Sequence, residues 1–252
     1  MDTIRSLDTG ETVSRTDAGI LALALESPVM QQAEGLHADV PTYDTAPFWR
    51  PYDGLKRGLD IVGSALLILL FLPVFIVIPL VLMTQGGAPV YRQLRVGRGG
   101  RMYTMFKFRT MVRDADTVLG DYLRDHPAAA EEWTSFQKLH DDPRITRFGM
   151  FLRRTSLDEL PQFFNVLLGD MSLVGPRPLF IPQKAHFGRQ LPAILACRPG
   201  ISGLWQISGR SDLTFAERVP LDVYYVKRRS LWLDLRIIVL TPLAMFVRRD
   251  GV

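Results

Sequence analysis

One uninterrupted apolar run limits what this chain can fold into. From Ile61 to Met83 the sequence reads IVGSALLILLFLPVFIVIPLVLM, without a charged residue. A membrane-spanning helix needs about 20 such residues, so the run is long enough to cross a bilayer. Of the 252 residues, 47% are hydrophobic and the mean hydropathy is +0.09, which leaves room for one such element but not for several. The sequence therefore predicts a single membrane element joined to a water-exposed domain.

Two features of this run favour a helix that enters the membrane and returns. Pro73 lies in the middle of the run, where a proline lacks an N–H group, clashes with the carbonyl of Leu69 and forces a bend. Each arm of about 12 residues would reach about 18 Å, roughly the depth of one leaflet. Both flanks are basic, with Lys56 and Arg57 before the run and Arg92, Arg95 and Arg98 after it. Since positive charge marks the cytoplasmic side, we favour a re-entrant helix, with a Pro-kinked spanning helix as the alternative.

Composition divides the chain into three segments. Residues 1–47 are mostly polar and carry no visible chemistry, so we predict a flexible tail. Residues 48–88 begin with aromatic and basic residues typical of a membrane-interface anchor and continue into the apolar run. Residues 89–252 form the predicted catalytic domain. The expected fold class is α+β, a small monotopic membrane protein with a mainly helical domain.

Beyond the apolar run, the pattern predicts a β-hairpin followed by helices. The stretches VYRQLRV and RMYTMFKF have strand character and flank a glycine-rich turn. Every charged residue from Arg92 to Arg113 is basic, which indicates either a surface for phosphates or lipid head groups, or a solvated edge strand. We predict a scaffold helix over Ala115–Leu139 and an amphipathic helix in the membrane interface within Leu231–Val247.

The segment from Asp141 to Pro178 holds the densest set of candidate functional residues. Pro161 is comfortable only in a first helical turn, which predicts a helix start at Ser156–Asp158. Asp158 would then be an N-cap and Glu159 a first-turn acid, with no further role. The functional interpretation depends on the surrounding cations, which are Arg144, Arg147, Arg153, Arg154 and Arg177. A carboxylate at such an anion site stays ionised and would suit a nucleophile or a Mg²⁺ ligand, although spacing does not say which acid does which.

Charge and the scarce metal-binding residues exclude several other functions. The net charge of +4 and the isoelectric point near 9.4 indicate anionic partners. Cys197 is the only cysteine and the four histidines are scattered, which argues against a disulfide framework and a zinc site. Few aromatic residues stand among the basic ones, and together with the apolar run this argues against a nucleic-acid binder.

Four sequence blocks carry a family resemblance. The blocks KRGLDIVGSALL, MFKFRTM, DPRITRFGMFLRRTSLDELPQFFNVLLGDMSLVGPRPL and CRPGISGLWQISGR resemble the bacterial sugar transferases. These are the monotopic phosphoglycosyl transferases, or polyprenyl-phosphate hexose-1-phosphate transferases. The resemblance runs from about Lys56 to the C-terminus. The ending WQISGRSDLTFAERVPLDVYYVKRRSLWLDLRIIVLTP is similar to members that start exopolysaccharide or O-antigen repeats with glucose or galactose.

The resemblance implies a reaction and a set of site residues. Asp158 would be the nucleophile, and Glu159 would complete an acidic dyad that also holds Mg²⁺, which Mn²⁺ is able to replace. The implied substrate-binding residues are Lys107, Arg109, Arg154, Arg177, Arg198 and Arg210. The implied partners are a UDP-sugar, undecaprenyl phosphate and membrane lipid, without nucleic acid, at the cytoplasmic face of a bacterial inner membrane. A homodimer stays open as an alternative to a monomer.

One departure from the family pattern affects the membrane helix. Several relatives carry serine before the proline at the bend, whereas Leu72 precedes Pro73 here. A serine hydroxyl is able to bond a freed backbone carbonyl, so its absence bears on the re-entrant geometry and not on the chemistry. The chief rival function is a non-catalytic membrane adaptor for polysaccharide assembly, which would not need an Asp-Glu pair beside arginines.

Overall fold

The computed structural model describes residues 51–136, 139–180, 187–208 and 215–247. The predicted tail and Arg210 lie outside these ranges. The described part of the chain is mostly helical and carries two small sheets, which confirms the mixed α and β class. The helices are α1 (Pro51–Leu70), α2 (Leu72–Thr84), α3 (Ala115–Asp125), α4 (Pro127–Phe136), α5 (Arg147–Arg154), α6 (Gln162–Leu168), α7 (Leu191–Leu195), α8 (Leu204–Ser208), α9 (Phe215–Arg228) and α10 (Leu231–Val247). The strands are β1 (Val90–Val96), β2 (Met102–Phe108), β3 (Ser172–Val174) and β4 (Gly200–Ser202).

The apolar run forms a bent pair of helices. No single helix in the described ranges is both long and apolar enough to cross a bilayer, whereas α1 and α2 meet that test as a pair with 62° between them. The break falls at Phe71, so that Pro73 stands in the first turn of α2. That position suits a proline, because first-turn N–H groups have no partner within the helix. The chain thus bends two residues before Pro73.

Helix α1 has one face turned to the domain and one turned outward. Asp60 and Ser64 are buried on the inner face, whereas Leu59 and Leu66 are exposed on the outer one. The Asp60 carboxylate accepts hydrogen bonds of 3.0 Å from the Ser172 hydroxyl and from the next backbone N–H in β3. A buried carboxylate of this kind needs such partners. The inner face of α1 is therefore attached to the domain by specific polar contacts.

The predicted hairpin is confirmed. Strands β1 and β2 pair antiparallel, from Val90 opposite Phe108 to Val96 opposite Met102. The turn contains a short 3₁₀ helix in which Gly99 and Gly100 have φ of 69° and 82°, values that glycine adopts without strain. Strands β3 and β4 form a second, parallel pair.

Helix α2 packs on the elements that carry the candidate site. Ile78 and Leu82 are buried in one apolar cluster with Phe108 of β2, Leu152 of α5 and Phe163 of α6. A second cluster joins the hairpin to β3, α7, α9 and α10, through buried residues that include Val96, Val174, Ile194, Tyr225 and Ile237. One face of the second arm therefore packs on the domain, while its other face is exposed.

The predicted helical segment over Ala115–Leu139 is confirmed as far as Phe136, but it is divided into two helices. Two helices, α3 and α4, meet at His126, and Pro127 begins the second. A proline disfavours helical geometry in the residue before it, which accounts for the break. The prediction of a helix over Leu231–Val247 is confirmed as α10, which buries Ile237 and exposes Trp232 and Val239.

Candidate active site

Strand β2 and the turn after α5 bring three predicted site residues together. Lys107 Nζ donates a hydrogen bond of 2.7 Å to Glu159 Oε1 and lies 3.6 Å from Asp158 Oδ2. Lys107 is near the end of β2, where the pairing with β1 fixes its position opposite Tyr91. The two adjacent acids thus lie close to one ammonium group, which comes from a different part of the chain.

The backbone before the dyad is unusual. Ser156 has φ 54° and ψ 19°, and it is the one non-glycine residue of the described ranges with positive φ. Such a conformation costs on the order of 1 kcal/mol or more and is often found at functional sites. Ser156 is followed by a 3₁₀ helix over Leu157–Glu159, and Asp158 is the buried residue of this short helix.

The predicted helix start and N-cap role are therefore wrong. Helix α6 begins at Gln162, with Pro161 in the cap position, and Asp158 lies inside the preceding 3₁₀ turn. Because Ser156 turns the chain before the dyad, the Asp158 carboxylate faces Lys107. The interpretation of Asp158 as a plain helix cap has no support in this geometry.

Burial dominates the ionisation of Asp158. This residue is only 7% exposed, and burial raises its pKa from 3.8 to about 6. The neighbouring charge of Glu159 acts in the same direction, whereas Lys107 and Arg153 lower the pKa. Asp158 therefore ionises close to neutral pH, as a carboxylate with a chemical role would.

The dyad lies in a large and strongly basic cleft. Its volume is about 1390 Å³, which is ample for a nucleotide-sized ligand. Three acidic side chains, Asp116, Asp158 and Glu159, line it. The eight basic side chains that line it are Arg92, Lys107, Arg109, Arg113, Arg144, Arg153, Arg177 and Arg218. This excess of positive charge favours a polyanionic ligand.

Arg177 forms the wall opposite the hairpin. Its guanidinium lies over the Trp205 ring at 4.8 Å, and the Arg218 guanidinium lies 5.2 Å from the same ring. Its backbone N–H donates to Asp222 Oδ2 at 3.5 Å, the long limit of a hydrogen bond. Burial lowers the pKa of Arg177, while Glu159 and Asp222 favour its charged form. Arg177 is thus held at the cleft by an aromatic ring and two carboxylates.

The predicted substrate-binding residues lie in different places in the structure. Lys107 and Arg177 lie in the cleft with the dyad. Arg109 also lines the cleft, but its guanidinium donates to the Leu82 carbonyl in α2 and to the Ala88 carbonyl after α2. Arg154 is exposed at the end of α5 and is absent from the cleft lining. Arg198 lies in a different pocket, and Arg210 lies outside the described residues.

Several cleft residues are absent from the predicted substrate-binding set. Arg153 is predicted only as one of the cations around the dyad, yet it lines the cleft in place of its neighbour Arg154 and donates to the Thr110 hydroxyl at 3.0 Å. Trp205 and Arg218 belong to the wall around Arg177. The tryptophan stands within the family-like block CRPGISGLWQISGR, which was the one available signal.

The dyad offers suitable donors for Mg²⁺. This ion prefers oxygen ligands, keeps several waters, and is commonly bound by one or two carboxylates together with substrate phosphates. Asp158 and Glu159 supply hard oxygen donors in a cleft that has room for such a substrate. Within the described residues, no cluster of three or more His, Cys, Asp or Glu could hold a metal ion. The residues therefore fit a metal that arrives with a phosphorylated substrate.

Fold and site together define a class of protein. A buried aspartate and a partly exposed glutamate in a basic cleft, beside a bent apolar helix pair, suit a protein that binds phosphorylated ligands next to apolar surface. The family model described as "Bacterial sugar transferase" matches residues 51–248. The chain belongs to this family.

Individual relatives agree with the family match. The UDP-galactose-lipid carrier transferase of Erwinia amylovora is 45% identical over 197 residues, 78% of this chain and 41% of that protein. The exopolysaccharide production protein ExoY of Rhizobium meliloti is 43% identical over 204 residues, 80% of this chain and 90% of that protein. The UDP-glucose:undecaprenyl-phosphate glucose-1-phosphate transferase of Escherichia coli is 38% identical over 224 residues, 83% of this chain and 44% of that protein. The chain thus spans less than half the length of two of these relatives.

Proposed function

We propose that this chain transfers hexose-1-phosphate from a UDP-sugar, with glucose or galactose as the sugar, to undecaprenyl phosphate. The product would be a lipid-linked sugar diphosphate that begins an exopolysaccharide or O-antigen repeat, and UMP would be released. Relatives named as galactose and glucose-1-phosphate transferases support the substrate pair. The observation that carries the proposal is the buried Asp158 beside Lys107 and Glu159 in the basic cleft.

The reaction would proceed in two displacements at phosphorus. An oxygen of the Asp158 carboxylate attacks the β-phosphorus of the UDP-sugar. The bond between that phosphorus and the bridging oxygen breaks, and UMP leaves with the electron pair. A phosphate oxygen of the lipid then attacks the same phosphorus, and the Asp158 carboxylate leaves. Splitting one displacement into two suits a membrane surface, because the soluble and lipid substrates need not be bound together.

The remaining cleft residues would position substrate and neutralise charge. Lys107 holds Glu159 and favours the ionised form of Asp158. Arg177 and Arg218, fixed against Trp205, would bind phosphate oxygens, and Arg153 would add charge near Asp158. Mg²⁺ or Mn²⁺, held by Asp158 and Glu159, would supply charge neutralisation at the phosphoryl oxygens.

Exposed apolar surface supports attachment to a membrane. The outer faces of α1 and α2, the side chains of Phe151, Phe164 and Leu168, and the outer face of α10 are exposed. Large apolar patches are rare on soluble monomers and often mark a membrane or protein contact. We therefore propose that α1 and α2 enter one leaflet and return, with α10 in the interface and the domain on the cytoplasmic face of the bacterial inner membrane.

The test of the proposal is product analysis on detergent-solubilised protein. Incubation with undecaprenyl phosphate and either UDP-glucose or UDP-galactose should release UMP, and EDTA should abolish the release until Mg²⁺ or Mn²⁺ is restored. Release of UDP would instead indicate attack at the sugar carbon. A Glu159→Gln variant should be severely impaired and should accumulate a phosphosugar adduct on Asp158, detectable by mass spectrometry. The non-catalytic adaptor predicts no nucleotide release with any substrate.

A further inference from the structure

A second pocket lies away from the catalytic cleft. It is lined by the first half of α1, the hairpin turn, β3 and the residues at the C-terminal ends of α7 and α9. Among the described residues, none lines both this pocket and the cleft. Its volume is about 30 Å³, room for one water-sized group, and it opens to solvent. This size excludes a sugar or a base. It admits one oxygen atom of a small anion whose other atoms remain at the open mouth of the pocket.

Positive charge dominates the lining of this second pocket. Two carboxylates, Asp53 and Asp60, face five cations, which are Lys56, Arg57, Arg98, Arg198 and Arg229. Asp60 is engaged by hydrogen bonds from Ser172 and Leu173. Lys56 is already paired with Asp234 at 2.9 Å, and Asp53 lies 3.8 Å from Arg229 Nε. The pocket carboxylates therefore do not balance the arginines.

Three arginines of the pocket have unused hydrogen-bonding capacity. Within the part of the chain that the structure describes, no carboxylate forms an ion pair with Arg98 or Arg198. Arg229 Nη1 donates to Cys197 Sγ and to the Val226 carbonyl, whereas its buried Nε has no hydrogen-bond partner among the described residues. Burial lowers the pKa of Arg198, and the charges of Arg57 and Arg98 lower it further, so these cations repel each other. An anion between them would relieve that repulsion.

We propose that this pocket binds one phosphate group, held by Arg98, Arg198 and Arg229. Guanidinium groups match phosphate oxygens in geometry and charge, and a partly buried site strengthens the attraction. The phosphate group would belong either to a phospholipid head group or to free inorganic phosphate. The pocket borders the stretch of α1 that exposes Leu55 and Leu59, so a head group at the membrane surface would be within reach. The site is separate from the chemistry at Asp158, and Arg198 acts here rather than in the cleft.

The test uses a pair of matched variants in the hairpin turn of the full chain. Arg98 lines the pocket, whereas Arg101 is exposed at the other end of the same turn and does not line it. Thermal unfolding of the wild type, Arg98→Gln and Arg101→Gln is followed in neutral detergent, at constant ionic strength, with increasing inorganic phosphate. A parallel series contains short-chain phosphatidylglycerol instead.

The proposal expects Tm to rise with a phosphate-bearing ligand in the wild type and Arg101→Gln, and to rise by about half as much or less in Arg98→Gln. A difference in the inorganic phosphate series identifies free phosphate as the ligand, and a difference in the lipid series alone identifies a head group. Phosphate bound in the cleft shifts all three proteins equally, so the difference isolates the pocket. Equal shifts in all three proteins, or no shift in either series, overturn the proposal.

If Arg98→Gln fails to fold, phosphorus NMR of the wild type and of Arg98→Lys replaces the unfolding experiment. Phosphate binding should be weaker in Arg98→Lys, and equal binding overturns the proposal.

Discussion

Lys107 Nζ lies 2.7 Å from Glu159 Oε1 but 3.6 Å from Asp158 Oδ2. The ammonium group therefore donates a hydrogen bond to Glu159 and acts on Asp158 through charge alone. This difference matches the two roles proposed for adjacent acids. Glu159 is held by this hydrogen bond, while the ammonium group leaves the oxygens of the Asp158 carboxylate without a hydrogen bond from Lys107.

Replacing Lys107 should shift the pH dependence of activity. Lys107 lowers the pKa of Asp158 against the dominant effect of burial, so a Lys107→Met variant should have a higher Asp158 pKa. Because the nucleophile must be ionised, the acid limb of kcat/KM should move to higher pH, and the rate near pH 6 should fall more than the rate at pH 8. Lys107→Arg keeps the charge and should move the limb less. A limb that stays in place in Lys107→Met would contradict the proposed role of Lys107.

Replacing Asp158 should separate activity from stability. Asp158→Asn removes the nucleophile, so turnover should be lost. The raised pKa means that the ionised carboxylate is unfavourable in the folded state above about pH 6, and a neutral amide avoids this cost. The free energy of unfolding at pH 8 should therefore stay within about 1 kcal/mol of the wild type, or exceed it. Substantial turnover, once deamidation to Asp is excluded by mass spectrometry, would remove Asp158 from the mechanism.

Asp222 should make the folded protein less stable as the pH rises. It is 2% exposed, and its Oδ1 has no hydrogen-bond partner among the residues that the structure describes. Burial raises its pKa from 3.8 to about 7. The folded state therefore binds this proton more tightly than the unfolded state, and the stability that it contributes is lost as the pH rises from about 4 through about 7.

An Asp222→Asn variant lacks this titration. Denaturant unfolding should show that the free energy of unfolding of the variant, relative to that of the wild type, is higher at pH 8 than at pH 5. The gain should be on the order of 1 kcal/mol per pH unit across the titration range. Asp125→Asn, which removes an exposed carboxylate at the end of α3, serves as the matched control. A gap that stays constant or narrows towards pH 8 would show that Asp222 is not the titrating group.

Patterns within short stretches of the sequence predicted the elements and the central site. The charge-free run predicted the bent helix pair, and the strand character on both sides of the glycines predicted the hairpin. The family resemblance named Lys107 as a substrate-binding residue, and its contact with the dyad is seen only in the structure. Which arginines line the cleft depends on tertiary packing, which these local patterns do not predict. Arg153 and Arg154 are adjacent on α5 and point about 100° apart, and only the packing of α5 against Thr110 decides which one reaches the cleft.

Two other residues show the same limit. Arg177 and Arg198 both stand beside prolines in family-like blocks, yet one faces the cleft and the other faces the second pocket. The burial of Asp222 was not predictable from the sequence, because an acid within an amphipathic helix is normally solvent-exposed. Its burial results from the packing of α9 against the segment that carries Arg177.

The last prediction concerns the topology of the bent pair. A re-entrant pair places both of its ends in the cytoplasm, as the basic residues on both flanks favour, whereas a spanning helix would place the segment before α1 outside. Single cysteines in a Cys197→Ser background distinguish the two arrangements, one at Thr42 before α1 and one at Asp121, which is exposed on α3. An impermeant maleimide should label neither site in intact spheroplasts and both sites once the membrane is opened. Labelling at position 42 alone in intact spheroplasts would mean that the chain crosses the membrane, and the 62° bend would then be a kink within a span.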